Sequence, residues 1–224
     1  MYRKNSSIVV VFVDRNRLQF YGSKLPAILT LEIPGTISRD LDIVNKDGFY
    51  TLVNQWVKQN NLGGAQLLFV LSPMIYFEQV VTSTEESRQE TEILSFYNSV
   101  PFEELATRVL TINGRKHAVA VNREFVESIR HAFMLQGYHV AAVVPAVILG
   151  TLSVKRWMDA EMGAYILKHL DTIVGQNIVE SEDQDVTTPA SSQPTEKNNP
   201  RLMIMVSILG ILLFALIVFI FVRH

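Results

Sequence analysis

The chain has 224 residues, with 20 Lys and Arg residues against 22 Asp and Glu residues, and it has no cysteine. The absence of cysteine excludes a disulfide framework and a thiolate zinc site. Residues 1–175 carry seventeen basic and seventeen acidic side chains. A nucleic-acid-binding domain normally has a basic excess, so no nucleic-acid partner is expected.

The first part of the chain is predicted to form a layer of strands and one helix. Residues 8–13 are a β-branched run typical of a strand buried on both faces. Three strands followed by a helix and a parallel strand form an antiparallel sheet with a crossover. The predicted elements are a hairpin over residues 7–23 with its turn at 14–16, a strand at 27–34, a helix at 49–61 ended by Gly63 and Gly64, and an apolar strand at 65–73.

A second module is predicted to follow, with the order helix, strand, strand, helix, strand. Asn113 and Gly114 form a two-residue hairpin signal between its first two strands. This order describes a compact two-layer lobe over residues 82–144. Its elements are a helix from Thr84 to about Ser99 capped by Ser83 or Thr84, strands at 105–113 and 117–121, a helix at 123–136 capped by Gly137, and a strand at 139–144. Residues 146–154 and 157–170 predict one or two helices that pack back on the first layer.

The last part of the chain differs sharply in composition. Residues 176–201 are polar, contain Pro and Ser, and include the acids Glu180, Glu182, Asp183 and Asp185. Such a segment buries too little apolar surface to order itself, which favours a disordered linker over a folded loop. Residues 202–222 form an apolar run in which only Ser207 has a polar side chain. This length matches the hydrocarbon core of a bilayer and favours a transmembrane helix over a buried core helix.

The position of this run predicts a single-pass, tail-anchored protein. The early apolar run at residues 8–13 has six residues, fewer than the roughly 7–15 of a signal-peptide core. Residues 1–200 are therefore expected on the cytoplasmic side of the membrane. Ser207 and Gly210 lie three residues apart, and no pair of small residues four apart marks a dimerisation face, so simple anchoring is expected.

Three stretches in this order resemble the first half of the PilM family of type IV pilus assembly proteins. PilM is an actin-like relative of the cell-division protein FtsA and the type II secretion protein GspL. The stretches are VVVFVDRNRLQFYG, TEESRQETEILSFYNSVPFEEL and HAVAVNREFVESIRHAFMLQGYHVAAVVPAVIL, within residues 7–155. The resemblance implies a mixed α/β fold: a partial actin-like (RNase H-like) subdomain of residues 1–81 and 145–175, with the lobe of residues 82–144 inserted.

The first hairpin departs from the family where a nucleotide phosphate would bind. The family has an acid, any residue and a glycine there, because backbone N–H groups must approach a phosphate closely. This chain has Asp14, Arg15 and Asn16, which lack the glycine. The second half of the actin-like fold, which closes the nucleotide cleft, is also absent from this sequence. We therefore expect a degenerate nucleotide site, with no nucleotide cofactor and no small-molecule substrate.

No other pattern indicates catalysis or metal binding. A magnesium site needs more than one carboxylate or phosphate ligand, and Glu78 is the nearest acid beyond the strand that should lie beside Asp14. A turn aspartate that caps its own backbone is the favoured interpretation of Asp14. The histidines at 117, 131, 139 and 169 show no metal-binding spacing.

The predicted function is a membrane-tethered cytoplasmic scaffold. The resemblance implies that it binds other proteins of a type IV pilus or type II secretion-like platform at the bacterial inner membrane, without nucleotide hydrolysis. Two alternatives remain open in the sequence. One is a divisome-type membrane tether, and the other is an actin-like or RNase H-like phosphotransferase or nuclease that uses Asp14.

Overall fold

The computed structural model describes residues 7–60, 62 and 65–179, all of which belong to one unit of the chain, residues 1–183. The strands are β1 (Ile8–Asp14), β2 (Arg17–Gly22), β3 (Leu29–Glu32), β4 (Ser38–Arg39), β5 (Asp42–Ile43), β6 (Gln66–Leu71), β7 (Tyr76–Val80), β8 (Leu105–Ile112), β9 (Arg115–Asn122) and β10 (His139–Pro145). The helices are α1 (Lys46–Asn60), α2 (Glu86–Ser99), α3 (Arg123–Met134), α4 (Ala160–Lys168) and α5 (Leu170–Val174), with a 3₁₀ segment at Ala146–Val154.

The larger sheet has five strands in the order β10-β6-β1-β2-β3. Strands β1, β2 and β3 are antiparallel neighbours, whereas β6 runs parallel to β1, and β10 runs parallel to β6. The predicted hairpin, third strand, helix and parallel crossover strand are thus confirmed. The mixed α/β class is confirmed with them.

Strand β1 is apolar from Ile8 to Val13 because helices cover both faces of the sheet. Val9, Val11 and Val13 contribute to a core cluster that also contains residues of α1 and α3. Ile8, Val10 and Phe12 point the other way, into a cluster with residues of α4 and α5. Successive side chains of a strand alternate between faces, so a sheet covered on both sides requires an uninterrupted apolar run. This confirms that the helices after residue 155 pack back on the first layer.

The smaller of the two main sheets has three strands in the order β7-β9-β8, and β4 and β5 form a separate two-stranded pair. Ala118 and Ala120 of β9 face α2 and pack with Phe96 and Val100. The opposite face of β9, with Val119 and Val121, joins the larger core. The hairpin at Asn113 and Gly114 is confirmed, since both residues have the positive φ values that a two-residue turn of this kind requires, 50° and 76°.

Several elements differ from the sequence prediction. Strand β10, expected in the lobe, pairs with β6 of the larger sheet, and α3 packs against α1 and β10. An apolar strand carries no local signal of which sheet it will join. Strand β7 was not predicted, because its sequence YFEQV has no alternation of apolar and polar residues. In the structure only Tyr76 of its five residues is buried. The predicted cap of α2 is wrong as well: Glu85 holds that position without a side-chain bond.

The first residues of the predicted linker are also placed on the folded unit. Ile178 and Val179 are buried, and the backbone N–H of Ile178 donates to the carbonyl of Val143 in β10, at 2.8 Å. Two adjacent apolar side chains explain why the polar segment starts later than expected. The rest of that linker and the apolar run at 202–222 lie outside the described residues. Among residues 7–60, 62 and 65–179, no helix is long and apolar enough to cross a membrane.

Candidate functional site

The candidate site lies where the three parallel strands of the larger sheet end. Asp14 is the last residue of β1, Ser72 follows β6, and Ala146 follows β10. In open α/β sheets, ligands bind outside the carboxyl ends of the strands. The sequence-predicted residues Asp14 and Arg15 therefore lie at the carboxyl ends of the strands, where a ligand of such a sheet would be expected.

The carboxylate of Asp14 is buried, with 7% of the residue exposed. Its Oδ1 accepts hydrogen bonds from the backbone N–H of Arg15, at 2.9 Å, and from the Ser72 hydroxyl, at 2.8 Å. The Ser72 Oγ in turn accepts the N–H of Met74 at 3.2 Å. Asp14 thus caps its own turn, as the turn interpretation predicts, and also joins the ends of β1 and β6.

The two residues that follow Asp14 bind three other segments of the unit. Arg15 Nε donates to the carbonyl of Met74 at 2.9 Å, and the Ser38 hydroxyl donates to the carbonyl of Arg15 at 3.4 Å. The carbonyl of Asn16 accepts the N–H of Ile33 at 2.7 Å. The Arg15 side chain and the carbonyls of Arg15 and Asn16 therefore take part in internal contacts, and the Arg15 side chain reaches from the turn to residue 74.

Tyr76 is the first residue of β7 and is two positions from Met74 in the chain. Its hydroxyl is hydrogen-bonded to the backbone of Val147, just after the end of β10. Burial, and secondarily the nearby charge of Glu78, raises the pKa of Tyr76 above its ordinary value. The phenol therefore stays protonated at every physiological pH and cannot act as a general base there.

Glu78 does not complete a metal site with Asp14. Its Oε1 lies 2.6 Å from Nδ1 of His117, on the neighbouring strand β9, and both side chains are partly buried. Within the described part of the chain, no group of three or more His, Asp or Glu residues could hold a metal ion. A magnesium ion at Asp14 would have one carboxylate, whereas such sites normally use several oxygen ligands.

Sequence reasoning located Asp14 and Arg15 but missed their partners. Ser72 lies 58 residues from Asp14 in the chain, and Met74 lies 59 residues from Arg15. A serine directly after a buried strand was the available signal for Ser72, since the ends of neighbouring parallel strands meet at one edge. Nothing in the sequence around Tyr76 indicated its contact with Val147.

A shallow depression of about 470 Å³ lies on the outer face of α2. Its lining comes from one helix, so no second element converges on it, unlike typical small-molecule sites. The lining residues are Thr91, Leu94, Ser95, Asn98 and Ser99.

No family model matches the chain, and no curated protein matches it. Among solved structures it is similar to the PilM–PilN type IV pilus biogenesis complex, with 12% identity, a TM-score of 0.44, and coverage of 61% of this chain and 46% of that chain. It is similar to the cytoplasmic domain of EpsL, an inner-membrane component of the Vibrio cholerae type II secretion system, with 13% identity, a TM-score of 0.42, and coverage of 63% and 58%.

A third similar structure is a Bacteroides thetaiotaomicron protein with an actin-like ATPase fold. The identity is 7% and the TM-score 0.39, with 64% of this chain and 53% of that chain covered. The chain thus spans about half the length of the structures that it matches.

Proposed function

We propose that this protein is a membrane-tethered scaffold of a type IV pilus or type II secretion-like assembly platform, which binds other platform proteins without nucleotide hydrolysis. The observation that carries the proposal is the turn at Asp14. It lies at the carboxyl ends of the parallel strands, where a nucleotide would be expected, but its polar groups bond to the protein itself. The sequence resemblance over residues 7–155 supports the kind of assembly.

The geometry of the turn supports binding without nucleotide hydrolysis. A phosphate cradle needs free backbone N–H groups at close approach. In this turn the N–H of Arg15 already donates to Asp14, and the Arg15 side chain donates to the carbonyl of Met74. A phosphate would have to break these contacts and displace a side chain that a glycine would not have.

The apolar run at residues 202–222 supports the membrane tether. Its 21 residues contain no charge, and about 20 apolar residues are enough to span the hydrocarbon core. The described unit would then stay on the cytoplasmic side, connected to the anchor through residues 180–201.

Calorimetry of the detergent-purified full chain with Mg-ATP at up to millimolar concentration tests the nucleotide part of the proposal. We expect no saturable binding. The matched variants are Asp14→Asn, which keeps an oxygen acceptor for Ser72 and removes the charge, and Asp171→Asn, an exposed control. A micromolar affinity that Asp14→Asn abolishes and Asp171→Asn preserves would favour the phosphotransferase or nuclease alternative.

Affinity purification of the tagged full chain after cross-linking in its own bacterium tests the scaffold part. We expect pilus or secretion platform proteins to be enriched with wild type and with Asp14→Asn alike. Enrichment of cell-division proteins in their place would favour the divisome alternative. Loss of the platform proteins only in Asp14→Asn would contradict a role independent of nucleotide.

A further inference from the structure

The two larger sheets have four edge strands, and three of these are protected against pairing with another chain. On β10, the Asn177 side chain accepts the N–H of Val143 at 2.8 Å, and the strand ends at Pro145. On β3, the indole N–H of Trp56 donates to the carbonyl of Thr30 at 3.0 Å. Strand β7 is short and carries the charged Glu78. Coverage, proline, short length and charge are the usual protections of an edge.

Strand β8 lacks the coverage, the proline and the short length that protect the other edges, and its one charged side chain, Arg108, is bound to the carbonyls of Gly175 and Asn177. It is eight residues long, its register with β9 is continuous from Leu105 to Ile112, and it contains no proline. The side chains of Thr107, Val109 and Thr111 lie on the face of the sheet that carries α2, and they are exposed to solvent, with 40% exposure at Val109. An open edge of this length with β-branched side chains is suited to pairing with a further strand.

The hairpin geometry determines which backbone groups of β8 are free. In a two-residue hairpin the closing pair, Ile112 and Arg115, is hydrogen-bonded, and hydrogen-bonded pairs then recur at every second residue. The N–H and C=O groups of Thr107, Val109 and Thr111 therefore point away from β9. The donation from Val81 N to Lys116 O, at 2.8 Å on the opposite side of β9, agrees with this alternation. Within the described residues, no backbone hydrogen bond engages the outward groups of β8.

We propose that β8 pairs antiparallel with β8 of a second copy of this chain, around a twofold axis at Val109. This register places Val109 opposite Val109 and Thr107 opposite Thr111. Apolar and Thr–Thr cross-strand pairs each stabilise a sheet by about 0.2–1 kcal/mol. The result is a continuous six-stranded sheet across the two copies, since each contributes three strands.

The only charged residue of β8 does not oppose this register. Arg108 lies on the other face of the strand, where its guanidinium donates to the carbonyls of Gly175, at 3.0 Å, and Asn177. In the proposed pairing Arg108 is opposite Leu110 of the second copy, so no like charges are directly opposed. Self-complementarity of this kind is what an isologous twofold contact requires.

We take the pairing strand to be β8 of a second copy for two reasons. The register of β8 with itself opposes compatible side chains, and the proposed membrane tether would bring copies of the chain together. A pair of eight-residue strands buries less surface than the roughly 1,200 Å² of a stable interface, so the contact is weak between free molecules. Tethering in one membrane raises the effective concentration and makes such a contact sufficient. Only this last step depends on the proposed function; the strand pairing itself depends on the geometry of β8.

Because the chain has no cysteine, single introduced cysteines report the register directly. In the full-length protein in membranes, Val109→Cys should be cross-linked to a dimer by a short bifunctional thiol reagent, since opposed Cβ atoms lie about 5 Å apart. The matched control Thr107→Cys should not cross-link, because its two copies would be about 13 Å apart along the strands. The double variant Thr107→Cys/Thr111→Cys should cross-link again.

Further variants distinguish specific strand pairing from chance cross-linking in the membrane and from the effect of membrane attachment. Val109→Lys in the double-cysteine chain should abolish the dimer and leave the unfolding temperature unchanged, because position 109 is exposed. Equal cross-linking at positions 107 and 109 would overturn the proposal, as would the absence of a dimer in every variant. Cross-linking of Val109→Cys to a different protein would overturn it too. The purified full chain at high concentration tests pairing even if the membrane tether fails.

Discussion

At the scale of single residues, Glu92 shows how a carboxylate organises the backbone of this protein. It lies in α2 and accepts hydrogen bonds from the segment before that helix. The donors are the Gln79 side-chain amide and the N–H and hydroxyl groups of Thr82 and Ser83, at distances of 2.8–3.3 Å. These hydrogen bonds, of which the one from the Ser83 hydroxyl has the largest effect, lower the pKa of Glu92 from 4.5 to about 2.

The lowered pKa of Glu92 predicts a pH-dependent contribution to stability. A carboxyl whose pKa is lower in the folded state stabilises the fold above its unfolded pKa, and this contribution is lost as the pH falls through its folded pKa. Glu92→Gln should therefore lower the unfolding temperature at pH 6, and its difference from wild type should shrink between about pH 4.5 and about pH 2. Thermal unfolding followed by circular dichroism across this range measures the difference.

The exposed neighbour Glu90 provides the control for this experiment. Glu90→Gln removes the same charge from the same helix without touching Thr82 or Ser83, and it should leave the unfolding temperature close to wild type. Equal effects of Glu90→Gln and Glu92→Gln would show that the helix charge matters and the hydrogen bonds do not.

The two structural carboxylates differ in how far the sequence could reveal them. Asp14 could be placed in a turn because a strand ends there and a polar pair follows. Its bond to Ser72 could not, since the two residues are 58 positions apart. Glu92 lacked even a local signal: helix propensity places it in α2, but its acceptor role depends on how the preceding loop folds back. Local patterns thus locate a side chain without identifying its partners.

At the scale of elements, α4 packs unusually close to β2. Gly163 of α4 lies over the ring of Tyr21 in β2, and a Cβ atom added at Gly163 would be 2.4 Å from Cδ1 of that ring. Asp159 caps the helix by accepting the N–H of Met162. The glycine is therefore required by the approach of the helix to the sheet.

Gly163→Ala should destabilise the protein although alanine is the better helix former. Alanine favours the helix by about 0.8–1.0 kcal/mol, whereas overpacking typically costs about 1–3 kcal/mol. We expect a net loss of up to about 2 kcal/mol in urea unfolding, from the difference of these terms. In a Tyr21→Ala background the clash is absent, and the same substitution should become neutral or stabilising. Equal losses in both backgrounds would contradict a steric origin.

The elements themselves were largely predictable, and their assignment to sheets was not. The β-branched run of β1 and the turn at Asn113 and Gly114 are strong local signals, and both were placed correctly. Strand β10 is equally apolar, but its pairing with β6 is a contact between residues about 70 positions apart, and nothing near β10 in the sequence indicates it. Parallel pairing always involves a distant partner, whereas a hairpin contains both of its strands.

At the scale of the whole molecule, the last described residues of the unit are hydrogen-bonded to both main sheets. Ile178 bonds to β10 through its backbone, and Arg108 of the smaller sheet binds the carbonyls of Gly175 and Asn177. Residues 175–179 thus connect the two main sheets of the unit.

The polar composition of residues 180–201 predicts that the apolar run at 202–222 is separable from folding. Deletion of residues 202–224 should move the protein from the membrane fraction to the soluble fraction with an unchanged urea midpoint. Replacement of residues 202–222 by an unrelated single-pass helix should keep the protein in the membrane and keep its cross-linked partners. Fractionation and partner purification measure both outcomes. If the replaced helix kept membrane attachment but lost the partners, the run itself would take part in recognition. If the deleted form stayed in membranes, the folded unit itself would hold the protein there.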